Sequence, residues 1–217
     1  MRVAHSEADF IVLIMLNKNF IGVTGLAGSG KDLFIKLLSD RLPNTKRFAL
    51  ADQLKSILDP EIQANYGFSI FNCTPAQKEI ARPFLVGWAR EKRIEMKGRY
   101  FIELLDPKIK EYKSFYPNSI ICISDVRYDD YEKDEAYWVK EENKGILVHI
   151  QKYKYVDKKQ TFFSPPNEEE ARNDPKMLKK ANYRIIWPDM SYNSIEDLDK
   201  SKILYEYIDE FLKWYNR

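Results

Sequence analysis

The residues best suited to chemistry lie in one short stretch of the chain, from Phe20 to Asp32. Within it, four residues separate Gly25 from Gly30, and Lys31 follows directly. Glycines let the backbone turn tightly and bring its N–H groups close to an anion, and a lysine adds a mobile positive charge. This spacing is typical of a phosphate-binding loop that opens a helix. The stretch therefore predicts that the phosphate chain of a nucleotide binds here.

The flanks of this loop predict a strand before it and a helix after it. Phe20, Ile21 and Val23 favour a strand, and leucines and isoleucines recur at helical spacing after Lys31. A helix that starts near Lys31 presents the positive end of its dipole to the loop. A merely glycine-rich turn is the alternative. The predicted nucleotide-binding residues are Gly25, Ala27, Gly28, Ser29, Gly30, Lys31 and Asp32.

One position departs from the usual pattern of such loops. Asp32 stands where a serine or threonine hydroxyl normally holds magnesium. A carboxylate can also hold Mg²⁺, directly or through water, because this ion prefers hard oxygen ligands. The alternative is that Asp32 caps the helix and never meets a metal. We expect Asp32 to contribute to a magnesium site.

Charged residues also follow two later strands. Residues 119–124 are almost purely apolar and predict a buried central strand, after which come Asp125 and Arg127. Residues 45–50 predict a second, short strand, and Lys55 lies just beyond it. Ligands of open parallel sheets bind beyond the carboxyl ends of the strands, so these side chains are expected to face the loop.

Each of these charged residues has a functional and an ordinary interpretation. Asp125 has the position of a second carboxylate that orients magnesium, or it caps a turn. Arg127 neutralises the charge of a transferring phosphate, or it forms a surface ion pair. The arginines of a helix predicted to start at Thr74 either bind the anionic group of an acceptor or form a solvated basic face. These arginines are Arg82, Arg90 and Arg93.

Strands alternate with helices along the rest of the chain. Residues 145–150 and 182–187 predict further strands, residues 130–142 a charged helix, and the chain from Ser194 onward a closing amphipathic helix. This alternation predicts an α/β fold with a parallel five-stranded sheet that is covered by helices on both faces.

Prolines predict interruptions in several places. Residues 59–73 are expected to be irregular, Pro83 to kink or break the helix that starts at Thr74, and Pro107 to divide a helix over residues 100–112. The segment 152–175 is long, polar and basic, which predicts a lid that closes over ATP and excludes water. An ordinary exposed loop is the alternative for this segment.

Length and composition predict a single globular domain. The chain has 217 residues, of which 44% are hydrophobic. We assign residues 19–217 to this domain and residues 1–18 to an N-terminal arm. The apolar run at 10–16 in that arm is too short to span a bilayer, so no membrane partner is expected. The alternative is that the native protein starts at Met15.

Charge and cysteine content indicate which classes of partner and which cellular compartment to expect. The 35 basic and 33 acidic residues give a net charge of +2, so no nucleic-acid partner is expected and any basic site must be local. The two cysteines have no metal-ligand or disulfide spacing, which favours a reducing, cytoplasmic location. The sequence leaves a homodimer open.

Three segments together resemble a known family. Residues 28–32, 50–55 and 124–127 resemble those of bacteriophage deoxynucleoside monophosphate kinases, which also carry an aspartate after the loop lysine. The chain is also similar to animal-type phosphomevalonate kinases, although Tyr128 replaces their second arginine and Leu26 and Ala27 replace their extra basic residues. The resemblance runs from about Phe20 to Ile150.

This resemblance implies a P-loop fold of the nucleoside-monophosphate-kinase type and ATP-dependent phosphoryl transfer to a (deoxy)nucleoside monophosphate. The resemblance implies that ATP and Mg²⁺ are bound, and phosphoryl transfer is assisted, by Lys31, Asp32, Asp125 and Arg127. The acceptor is then faced by Lys55, Arg82 and Arg90. Two alternatives remain: a phosphomevalonate-type or other small-metabolite kinase, and a nucleotide-binding module without catalysis.

Overall fold

The computed structural model of the protein describes residues 16–189 and 197–217. In this part of the chain, six strands form one sheet. Five are parallel, in the order β2-β3-β1-β4-β6, and β5 pairs antiparallel with the distal half of β4. The strands are β1 (Phe20–Thr24), β2 (Thr45–Phe48), β3 (Ile120–Ile123), β4 (Ile146–Val156), β5 (Lys159–Phe162) and β6 (Tyr183–Pro188).

Helices connect the parallel strands and cover both faces of the sheet. Among the described residues they are α1 (Lys31–Arg41), α2 (Leu50–Tyr66), α3 (Pro75–Glu95), α4 (Tyr100–Phe115), α5 (Glu135–Tyr137), α6 (Glu168–Lys180) and α7 (Asp197–Tyr215). The short α5 continues as a π-helix over Trp138–Glu142. None of these helices combines the length and the apolarity needed to cross a bilayer.

Two hydrophobic cores hold the layers together, one on each face of the sheet. On one face α1 and α7 pack through Phe34 and Phe211, whose rings meet edge to face at 5.3 Å. On the other face Leu105, Trp138 and Met177 pack against β1, β3 and β4. Burial on both faces explains why β1 and β3 are apolar at nearly every position. A smaller third core joins α2 to α3.

The predicted fold class is confirmed. The chain has an α/β fold with five parallel strands in one sheet and helices on both faces, as expected. Residues 1–15 of the predicted arm and Ser194, the predicted start of the last helix, lie outside the described residues. The division of the chain into an arm and one kinase domain stays a prediction.

The prolines do not end their helices as predicted, and the predicted irregular stretch 59–73 is confined to residues 67–73. Helix α2 runs through Pro60 to Tyr66, α3 runs through Pro83, and α4 runs through Pro107. All three rings are exposed. On the solvent side of a helix, water can bond the carbonyl group that a proline leaves without its N–H partner. The prolines are tolerated because the opposite face of each helix stays buried.

Two other segments also differ from expectation. The charged helix predicted over 130–142 begins only at Glu135, because Asp134 caps it by accepting a hydrogen bond from the Glu135 amide at 2.9 Å. The segment 152–175 is not a structureless loop. It contains the end of β4, all of β5 and the first half of α6.

Candidate functional site

The loop between β1 and α1 lies at the carboxyl edge of the sheet. Gly25 and Gly30, which begin and end it, have φ angles of 130° and 95°, in the left-handed region that favours glycine. A side chain on Gly25 would overlap the carbonyl oxygen of Ile150 on β4. The loop therefore packs directly against the neighbouring strand, and its N–H groups can approach a ligand without side chains between them.

Trp187, at the end of β6, fixes the far side of this loop. Its buried indole Nε1 donates a hydrogen bond to the Ser29 carbonyl at 2.8 Å. The sequence placed Trp187 in a strand but did not link it to the loop. The available clue was its position at the carboxyl end of a predicted parallel strand, where ligands of such sheets bind.

Lys31 lies folded back on the loop. Its Nζ donates to the carbonyl oxygens of Gly25 and Leu26, at 2.7 and 2.8 Å, and the residue is only 8% exposed. Burial, with a smaller contribution from Arg127, lowers the pKa of Lys31 to about 8. The ammonium group is thus held at the loop in an environment that favours an added negative charge.

Asp32 belongs to a chain of ion pairs at the same edge. Arg47 Nε lies 2.7 Å from Asp32 Oδ1, and Arg47 Nη1 lies 3.0 Å from Asp52 Oδ2. Lys55 Nζ completes the chain at 3.0 Å from Asp52 Oδ1. The structure therefore brings the predicted residues Asp32 and Lys55 together through Arg47. Sequence reasoning missed Arg47 because it is one of several basic residues around a short strand.

Asp125 caps a helix from across the sheet edge. Its two carboxylate oxygens accept hydrogen bonds from the backbone N–H groups of Leu50 and Ala51, each at 2.8 Å. Burial raises the pKa of Asp125, although these two bonds and Arg127 oppose the shift. Asp125 thus fixes the start of α2 relative to the end of β3. Its role toward magnesium stays a prediction.

The carboxylate groups near the loop are of the kind that Mg²⁺ prefers as ligands. Asp32 and Asp125 offer hard carboxylate oxygens, and Mg²⁺ usually keeps several waters instead of taking a full cage of protein ligands. Within the described residues, no group of three or more His, Cys, Asp or Glu side chains could hold a metal alone. Any magnesium here would therefore need further ligands from the nucleotide or from water.

Arg127 is exposed, but its backbone is held firmly. Its N–H donates to Glu135 Oε2 at 2.6 Å, and the next N–H, of Tyr128, donates to the same oxygen at 3.1 Å. The guanidinium Nη1 lies 3.8 Å from Glu170 Oε1. The buried carboxylate of Glu135 thus fixes the backbone after β3. The Arg127 side chain faces a second carboxylate, that of Glu170.

Arg93 completes this buried cluster, a place that fits neither of its two sequence interpretations, acceptor binding or a solvated basic face. It is 7% exposed, and its guanidinium binds Asp134 at 2.9 Å and Glu135 at 3.1 Å. It also stacks on the ring of Tyr128, 3.5 Å from the centroid. With its nitrogen donors engaged by buried carboxylates, Arg93 holds the fold together and is not available to an acceptor.

The predicted acceptor residues Arg82 and Arg90 are exposed on α3. Arg82 pairs with Glu79 of the same helix, with Nη2 2.6 Å from Oε1. Arg90 is exposed as well. No contact among the described residues links Arg82 or Arg90 to the loop. Their role in acceptor binding therefore stays a prediction.

Two clefts flank the loop. One is narrow, lies between the loop and α6 and is lined by Arg127, Tyr128, Glu170 and Asn173 among others. The other, also narrow, lies between the loop and the β4–β5 hairpin, and its lining includes Lys152, Phe162 and Phe163. Sequence reasoning expected a basic lid here but did not single out Glu170 or the two phenylalanines.

Comparisons with known proteins found solved structures of low similarity only. No protein-family model matches the chain, and no curated protein matches it either. Similar solved structures include shikimate kinase from Bacteroides thetaiotaomicron (TM-score 0.42, 14% identity, 89% of this chain and 98% of that chain covered). They also include dephospho-CoA kinase from Campylobacter jejuni (0.37, 18%, 91% and 97%) and shikimate kinase from Acinetobacter baumannii in complex with shikimate (0.39, 16%, 88% and 93%). Similarity at this level assigns no substrate, so the function of the site is inferred from its own geometry.

Proposed function

We propose that the protein is a kinase that transfers the terminal phosphoryl group of ATP to a (deoxy)nucleoside monophosphate, giving ADP and the diphosphate. The observation that supports this most is the loop between β1 and α1. Its left-handed glycines and the following Lys31 form an anion-binding site at the carboxyl edge of a parallel sheet. The charged ends of β2 and β3 lie at the same edge.

The phosphate chain of ATP would lie along the loop N–H groups and the start of α1. Lys31 would exchange the carbonyl oxygens of Gly25 and Leu26 for the outer phosphates. The bound phosphates would also raise the pKa of Lys31 from about 8, because an adjacent negative charge favours the ammonium form. ATP binding would thus fix the proton on Lys31 at neutral pH.

Magnesium would be held by Asp32 and Asp125, directly or through water. When bound, the ion neutralises charge that develops on the phosphate oxygens during transfer. Arg47 now pairs with Asp32 at 2.7 Å and with Asp52 at 3.0 Å, so Asp52 can retain it when Asp32 turns to a metal. Arg127 would contribute a further positive charge beside the transferring group.

The acceptor would be bound by Lys55, Arg82 and Arg90. No general base is needed, because the phosphate of a nucleoside monophosphate is already an anion. Catalysis would then consist of positioning the two substrates and neutralising charge, with little covalent chemistry for the protein to perform. Phe162 and Phe163 of the hairpin next to the loop would offer aromatic rings to the base of ATP once the narrow cleft between hairpin and loop opens.

The lid, residues 152–175, would close over the bound ATP by movement of its β4–β5 hairpin, since α6 is anchored to the sheet. Its hairpin and the first half of α6 flank the loop on two sides. Closure would exclude water and so suppress hydrolysis of ATP in place of transfer to the acceptor.

The test is a coupled ADP-release assay with ATP and a panel of acceptors. The panel contains the four deoxynucleoside monophosphates and phosphomevalonate. Turnover with at least one of the monophosphates is expected. Turnover with phosphomevalonate alone would favour the small-metabolite kinase, and nucleotide binding without ADP release would favour the non-catalytic module.

A variant pair tests the role of Lys31 in the same assay. Lys31→Ala should lower turnover by roughly 100-fold or more, as expected for the loss of one charge contact to the transition state. Lys36→Ala, on the exposed face of the same helix, is the matched control and should leave turnover unchanged. Near-normal turnover of Lys31→Ala would overturn this role.

A further inference from the structure

A carboxylate lies on the phosphate-binding loop. Glu170 Oε2 accepts a hydrogen bond from the backbone N–H of Ala27 at 2.7 Å. Its other oxygen, Oε1, lies 3.8 Å from the guanidinium Nη1 of Arg127, and the side chain is only 15% exposed. A backbone N–H of the loop and a nearby arginine are the partners that a phosphate oxygen would use.

The rest of α6 fixes Glu170 in this position. The side-chain oxygen of Asn167 caps the helix by accepting from the Glu170 N–H at 2.8 Å. Further along, Met177 is fully buried, and Asp174 Oδ1 lies 2.9 Å from Nε2 of the buried His149 on β4. The helix is therefore anchored to the sheet, and its first turn projects Glu170 over the loop.

A phosphate chain and this carboxylate cannot occupy the loop together. Both need the Ala27 N–H, and both are negatively charged, so each lowers the affinity of the loop for the other. Lys31 Nζ meanwhile bonds the carbonyl groups of Gly25 and Leu26, and the Glu170 charge acts on it only through a weaker Coulombic attraction, which raises the pKa of Lys31 against the larger effect of burial. The arrangement has the features of a site that is closed by an internal anion.

We propose that Glu170 is an acidic latch, which occupies the phosphate site in the nucleotide-free protein and is displaced by the phosphate chain of ATP. This inference rests on the proposed function, and it adds a gating step to it. Displacement of Glu170 also removes the carboxylate beside Arg127, so that the same event admits the nucleotide and frees the guanidinium for the transferring phosphate. Only the unlatched fraction of the protein can bind ATP, so the apparent Kd for ATP equals the intrinsic Kd divided by that fraction.

The experiment measures the binding of pyrophosphate and of ATP by isothermal calorimetry, with no acceptor present. Glu170→Ala removes the latch and should bind both ligands roughly tenfold more tightly or better, given the strength of a hydrogen bond to a charged group. Glu170→Gln keeps an acceptor for Ala27 but not the charge, and should fall between Glu170→Ala and the native protein. Glu168→Gln, on the same turn but exposed, is the matched control and should bind as the native protein does.

The outcomes separate the latch from the proposed function. If the native protein binds ATP and both Glu170 variants bind it equally or more weakly, Glu170 is not a latch and the proposed function still stands. If neither the native protein nor any variant binds ATP or pyrophosphate, the proposed function fails and the latch fails with it. Because Glu170→Gln preserves size and hydrogen bonding, it decides the question should Glu170→Ala not fold.

Discussion

Trp187 packs against Gly30 at the end of the loop between β1 and α1. A Cβ atom on Gly30 would lie 2.6 Å from Cζ2 of Trp187, closer than side chains can approach. The same indole bonds the Ser29 carbonyl, so β6 holds the last turn of the loop through a single side chain. The precise position of the loop therefore depends on a residue more than 150 positions further along the chain.

Replacement of Gly30 should be far more costly than replacement of Gly28. Both have left-handed φ angles, 95° and 77°, but a Cβ on Gly28 meets no atom within 4 Å. Gly28→Ala should lower the free energy of unfolding by about 1–2 kcal/mol, from backbone strain alone. Gly30→Ala should lose about 1–3 kcal/mol more, because Trp187 must also move. Urea unfolding of the two variants measures the difference, and equal losses would mean that Trp187 does not constrain the loop.

The titration of Lys31 should make the protein more stable in mild alkali. Its pKa is about 8 in the folded state against an ordinary lysine value of 10.5 in the unfolded chain, so between these values the unfolded chain binds more protons. Stability should therefore rise with pH through this window, by roughly 2 kcal/mol from pH 7 to pH 9.5. Urea unfolding of the native protein and of Lys31→Met at the two pH values isolates the effect. The rise should be absent from Lys31→Met, and a parallel rise in both proteins would contradict the assignment.

The sequence predicted the parts of the site that depend on local patterns. The spacing of Gly25, Gly30 and Lys31 is local, and the apolar runs of β1 and β3 follow from burial on both faces of the sheet. These patterns locate the loop and the strand ends without knowledge of distant contacts. They were sufficient to predict the fold class.

The partners of the charged residues could not be predicted, because they are remote in the sequence. Asp125 caps α2 through Leu50 N, 75 residues away, and Glu170 reaches Ala27 across 143 residues. Arg93 finds its carboxylate partner at Asp134, 41 residues on. No periodicity records such pairings, so each of these side chains was compatible with both a functional and a structural role. The prolines were misjudged for a different reason, because a proline on the solvent face of a helix need not end it.

The ion pairs of Arg93 should contribute more to stability than any exposed pair on α3. Arg93→Met leaves Asp134 and Glu135 buried without a cation and should lower the free energy of unfolding by about 3–5 kcal/mol. Arg82→Met, which breaks the exposed pair with Glu79, is the matched control and should cost about 1 kcal/mol or less. Urea unfolding at pH 7 compares them. Similar small losses would show that the buried cluster does not organise the segment after β3.

The hairpin of the lid should become resistant to protease when both substrate sites are filled. Lys158 and Lys159 are exposed at its tip, where trypsin can reach them, and Lys154 lies on the strand that leads there. Cleavage by trypsin at these lysines should slow by roughly tenfold with a bisubstrate analogue of ATP and a nucleoside monophosphate, because closure reduces local opening. The variant with Lys158→Gln and Lys159→Gln identifies the cut by removing its main sites. Equal cleavage with and without the analogue would show that the hairpin does not close. The hairpin would then not exclude water from the loop during transfer.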